Sequence, residues 1–124
     1  MREAVLRDFF EGKVDAPDLA RDISGSFDLS RDVERFSIVD MEGDFLVEPR
    51  HLKRVCDAYL QGDLKEGDLK SIGFTLLASD AFEIRGYTDE GAKVAEVAND
   101  WAVPEINLPI TRENVLHWRR LLDS

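Results

Sequence analysis

Apolar residues recur along this chain at helical spacing far more often than in strict alternation. Over residues 2–11, Val5, Leu6, Phe9 and Phe10 fall on one face, and Gly12 ends the pattern. Asp15 is placed to cap a second helix, with Pro17 in its first turn. Ala16, Leu19, Ala20 and Ile23 line the inner face of that helix, and Gly25 ends it. Residues 26–35 fit a loop with a cap or a weak strand equally well. Phe36-Ser37-Ile38-Val39 and Phe45-Leu46-Val47 have strand composition. Asp40-Met41-Glu42-Gly43-Asp44 between them reads as a turn, which predicts a short hairpin packed on helices.

Helical spacing then resumes. Pro49 opens a helix with Leu52, Val55, Cys56, Tyr59 and Leu60 on its inner face, and Gly62 closes it. Leu69, Ile72, Leu76 and Leu77 mark the next helix, which Ser79-Asp80 ends. Gly73 inside it costs about 1 kcal/mol relative to alanine, and suits a close approach by a neighbouring helix. Phe82-Glu83-Ile84 alternates, as a short strand or a connector. Val94, Val97, Ala98 and Trp101 define a fifth helix. Val115, Trp118, Leu121 and Leu122 define a sixth, capped by Thr111 with Glu113 in its first turn. The expected fold is mainly α: an irregular single-core bundle of about six helices with one short β-hairpin, in one domain over residues 1–124.

At 124 residues the chain is long enough to bury one real core. The lone cysteine, Cys56, excludes an internal disulfide and fits a reducing compartment. The first ten residues carry two arginines and two acids with no apolar run, unlike a signal peptide. No stretch approaches the length of a membrane span, so a soluble cytoplasmic protein is expected.

Charge changes the picture more. The net charge is −10, and the acidic excess is uneven. Residues 1–48 hold thirteen acids and six bases, and residues 80–109 hold seven acids and two bases. Residues 49–79 hold four acids and five bases, and the last fifteen residues two acids and three bases. Such a field repels nucleic acid and anionic membranes and steers basic partners inward. Acidity of this kind also serves solubility alone.

Little in the chain suggests an enzyme. His51 and His117 have no histidine or cysteine at zinc-binding spacing. Cys56 lies on an apolar stripe, with Lys53 and Arg54 pointing elsewhere, so a buried structural thiol is expected. Asp40-Met41-Glu42-Gly43-Asp44 fails the spacing of a calcium loop, because glycine comes too early and His51 occupies the position of the bidentate glutamate. The carboxylates of Asp40, Glu42 and Asp44 nevertheless make a local negative spot that a lysine or arginine could use. No phosphate loop or nucleophile elbow is present. No cofactor, metal or catalytic residue is assigned.

The segment from Asn99 to Asn114 offers the best docking surface. Pro104 and Pro109 stiffen a short crossing between two helices, next to Trp101. Asp100, Glu105 and Asn107 could form a polar rim around a partly exposed Trp101. Helix caps and a core tryptophan account for the same residues.

Three runs carry a resemblance: Ser79-Asp80-Ala81-Phe82, Asn99-Asp100-Trp101, and Pro104 through Asn114. With Asp40-Met41-Glu42-Gly43 and the helix after it, they resemble a group of small uncharacterised bacterial proteins. That resemblance covers most of the chain beyond about residue 36 and implies no activity. More loosely, the size, acidity, Gly62-Asp63 turn and final helix after an Asp-Trp segment are similar to colicin-like bacterial immunity proteins. No motif aligns the binding residues of that family here. The likeness implies a non-enzymatic binding module whose acidic face neutralises a basic toxin domain. A regulatory or structural partner in a bacterial assembly, or an enzyme with an unseen carboxylate site, are the alternatives.

Overall fold

The computed structural model describes residues 1–25, 27–28, 35–36 and 38–124. Its elements run α1 (Glu3–Phe10), α2 (Ala16–Ser24), β1 (Phe27–Asp28), β2 (Arg35–Phe36), β3 (Phe45–Leu46), α3 (Pro49–Leu60), α4 (Glu66–Ala78), β4 (Phe82–Glu83), α5 (Asp89–Ala102) and α6 (Arg112–Asp123). The protein is mainly helical with a small β component.

The helix boundaries follow local chemistry. Asp15 accepts from the Asp18 N–H at 3.0 Å and Thr111 from the Asn114 N–H at 3.2 Å, each satisfying a donor that the first helical turn leaves open. Thr88 does the same for α5 through Gly91. Each apolar stripe turns inward. Leu6, Phe9, Leu19, Ile23, Leu52, Val55, Leu69, Ile72, Val94, Val97, Val115 and Leu122 join one contiguous core.

The closest helix pairs are α4 with α5 and α3 with α6, and α5 also touches α3 and α6. Gly73 makes the first pair possible. A Cβ there would lie 2.7 Å from the Ala98 carbonyl oxygen and 2.8 Å from the Ala102 nitrogen. Trp101 and Trp118 join α5 to α6 edge to face, with centroids 6.2 Å apart and planes at 83°. A second aromatic cluster gathers Phe10, Phe45, Phe82 and His51 where α1, the strands and α3 meet.

Two expectations are corrected. The expected hairpin does not form. β3 pairs with β4 in parallel, Phe45 opposite Phe82, and the chain between them crosses over through α3 and α4. The other half of the expected hairpin divides, because Phe36 pairs with Phe27 while Val39 bridges to Arg2. The Glu3 N–H donates to Val39 O at 3.0 Å, and the Val39 N–H to Met1 O at 2.9 Å. With residue 39 tied to the start of α1 and residue 45 tied to Ala81, residues 40–44 become a connection between two sites. Leu77 is also misplaced: it is 47% exposed, one turn from Phe74 at 49%. α4 is apolar nearly all round, so its periodicity does not show which side packs. Most of the alternatives for residues 26–35, and Ser37 of the expected strand, lie outside the described residues.

Candidate functional site

The segment after α5 is built for structure. Trp101 is fully buried, so the partly exposed anchor expected there is withdrawn. The reason is Gly73: it lets α4 approach until the Trp101 side chain is enclosed. Asp100 accepts from Trp118 Nε1–H at 3.1 Å, tying α5 to α6. Asn107 folds back, and its amide donates to Asn99 O at 3.3 Å and Val103 O at 3.2 Å. Both carbonyls, in the last turn of α5 and just past it, also accept backbone N–H groups, from Val103 and from Ile106 and Asn107. Glu105 is exposed, but its carboxylate is paired with Lys70, which holds it below the usual carboxylate range. Asp100 and Asn107 therefore bond other parts of the chain, Glu105 is held in a surface ion pair, and Trp101 is core.

The 40–44 loop differs. Asp40, Glu42 and Asp44 are all exposed, and none of their carboxylates forms an ion pair or accepts a hydrogen bond among the described residues. The backbone beneath them is held at both ends. The Met41 N–H donates to Glu3 Oε1 at 3.0 Å, and the Phe45 N–H donates to Ala81 O at 2.7 Å. Glu3 is almost fully buried, so this loop is pinned from inside the protein. Gly43 makes the bend at φ 87°, where a side chain would be strained. The parallel register sets Asp44 beside Ala81, next to exposed Asp80. Sequence reading left Asp80 out of this group because the strand pairing that adds it is not local.

The structure does not bring the two expected patches together. Glu105 is at the Lys70 end of α4, whereas Asp80 and the 40–44 loop adjoin its far end. Lys70 and Ala78 alone are separated by about 12 Å of helix.

A third feature was not singled out from the sequence. A cleft of about 800 Å³ runs along α3, floored by Phe9 and Phe10 and bounded by the start of α2 and by Arg119 of α6. Arg50, His51, Lys53 and Arg54 line one end. Their run Arg50-His51-Leu52-Lys53-Arg54 was the available signal, a basic stretch in an acidic chain. Arg50 pairs with Glu48 at 3.1 Å, Lys53 with Asp123 at 2.7 Å, and Arg119 with Asp57 at 2.6 Å. Arg54 lies 4.9 Å from the centroid of Phe9, in cation–π contact.

His51 is 3% exposed, and its Nδ1 accepts from the Glu48 N–H at 2.9 Å. Burial, and then Arg50, pulls its pKa down to about 4, so the ring is neutral at pH 7. Cys56 is fully buried beneath the helix, and burial, with Asp57 second, pushes its thiol up to about 12. A neutral thiol in that setting is no nucleophile. His117 is exposed, and no group of three metal-ligating side chains occurs among the described residues. No helix among them is long and apolar enough to cross a membrane. Compared with known proteins, the chain matches no family model, no curated protein and no solved structure.

Proposed function

We propose that this protein is a non-enzymatic binding module that docks a basic protein partner through the 40–44 loop, in the manner of an immunity protein covering a toxin domain. The observation that carries the reading is the set of exposed carboxylates of Asp40, Glu42 and Asp44, unpaired among the described residues, on a backbone pinned by Glu3 and Ala81. Asp80 extends the set, and Val39, 58% exposed, adds an apolar contact beside it. Unpaired carboxylates on a held loop present negative charge at little ordering cost, which favours fast association with a cationic surface. They also mimic the phosphates that a basic nuclease domain would bind. The docking face expected around Trp101 gives way to this one, since Asp100 and Asn107 serve α5 and α6.

The test is capture of partners from a lysate of the native cell by the wild-type chain and by an Asp40→Lys/Glu42→Lys/Asp44→Lys variant. The reading expects a basic protein whose association slows in the variant and slows with rising salt in the wild type. A partner bound equally fast by a well-folded triple variant at low salt refutes it.

A further inference from the structure

None of residues 40–44 lines the cleft along α3, and it carries an inference separate from the docking proposal. Two groups at its basic end have unused donors. The first is His51. Because Nδ1 accepts the Glu48 N–H, the neutral ring must carry its proton on Nε2. That Nε2–H has no acceptor among the described residues, although the side chain is almost wholly buried, packed 5.3 Å from Phe10 and 4.9 Å from Phe45 between ring centroids. Nε2 is not sealed in the core, and His51 lines the cleft. A donor that opens on the cleft from an otherwise buried ring is free to bond a group placed there.

The second is Arg54, one helical turn on and so on the same side of α3. Its guanidinium has no carboxylate partner among the described residues, in a chain where acids outnumber bases by twenty-six to sixteen. Most of the nearby acids are engaged. Asp57 holds Arg119, Glu48 holds Arg50, and Glu11 is held by Lys13 at 3.2 Å and Arg7 at 3.6 Å. Asp15 caps α2, while Asp63, folded back just past the end of α3 with its N–H bonded to Ala58 O at 2.9 Å, lines the cleft with no ion pair among the described residues.

We infer that the basic end of this cleft binds a small oxyanion, a carboxylate or phosphate group, held by the Arg54 guanidinium and the His51 Nε2–H. The acceptor oxygens satisfy both unused donors at once, and arginine presents its donors in a fork that matches either group. The cleft, about 800 Å³, is larger than a bare ion requires. A small organic anion is therefore the class of ligand that fits.

The experiment is a titration with inorganic phosphate and, separately, with acetate at constant ionic strength, read by side-chain nitrogen NMR of His51 Nε2 and Arg54 Nε. Saturable shifts at both groups with either probe are expected, and the probe that binds more tightly identifies the headgroup. Arg54→Gln should weaken binding about tenfold or more. Arg120→Gln, on α6 and outside the cleft lining, should leave it unchanged. Binding should also raise the pH at which His51 titrates, a readout that general ionic screening does not give. Absence of saturation with both probes overturns the inference, as does equal affinity in a folded Arg54→Gln variant.

Discussion

Gly73→Ala and Gly67→Ala change the same residue type in the same helix, and the structure demands opposite outcomes. Alanine is about 1 kcal/mol better than glycine inside a helix, so propensity alone makes both changes stabilising. At Gly67 a Cβ meets nothing within 4 Å, and that gain survives in part because the site is in the first turn. At Gly73 the new methyl would lie 2.7 Å from Ala98 O, 2.8 Å from Ala102 N and 2.8 Å from Trp101 Cβ. Two of these are backbone atoms of α5, so no side-chain rotation relieves the clash. α5 must shift as a unit, and it carries Trp101 and the Asp100 contact to Trp118 with it. Overpacking of this kind costs about 1–3 kcal/mol, and more where the backbone has to move. After the propensity gain, Gly73→Ala should destabilise by about 2 kcal/mol, while Gly67→Ala should stabilise by up to about 0.5 kcal/mol. In urea the first change lowers the midpoint by about 1 M, taking a slope of about 2 kcal/mol per molar. Equilibrium urea unfolding followed by tryptophan fluorescence measures both, since the two indoles sit at the affected contact. If Gly73→Ala stabilises the protein as Gly67→Ala does, the close approach of α4 and α5 is wrong, and with it the reason given for the burial of Trp101.

Three further outcomes are expected. Asp100→Ala and Trp118→Phe should each cost about 1–3 kcal/mol, with a coupling near 1 kcal/mol in a double-mutant cycle, and strict additivity would remove the hydrogen bond between them. Cys56, its thiol pushed up to about 12, should react with a disulfide reagent only as fast as the protein opens, so labelling at the rate of a free thiol would put it at the surface. His51, ordinarily titrating near 6.5 and lowered to about 4, refuses in the folded state a proton that the unfolded chain accepts. Stability should therefore fall as pH drops from about 6.5 to 4 and receive no further change from this group below that, by about 2 kcal/mol once water in the cleft is allowed for. The difference between wild type and His51→Gln across that window isolates the effect, and a constant difference would contradict it.

What this sequence determines by itself is what depends on near neighbours. The helices at Pro49, Thr111 and Asp15 start where a cap or a proline stands within a turn of the first apolar position, and Gly12 and Gly62 stop helices at positive φ. The burial of Cys56, Val97 and Trp118 follows from their register with other apolar residues on the same helix. Even the close approach at Gly73 was legible, because a glycine amid leucine and isoleucine leaves room for a neighbour. Tertiary structure alone decided the rest. A strand shows its need for a partner but not where the partner lies, so Phe45 paired with Phe82 across two helices and not with Val39 across a turn. An apolar residue on an apolar helix does not say which side is covered, and Leu77 remained exposed. Polar residues beside Trp101 suit a docking rim and a cap equally, until the fold brings Trp118 to Asp100 and Asn107 to the α5 carbonyls. The cleft was the least visible feature, because His51 and Arg54 stand as unpaired donors only when most nearby acids have found other partners, and that is settled by distances between elements.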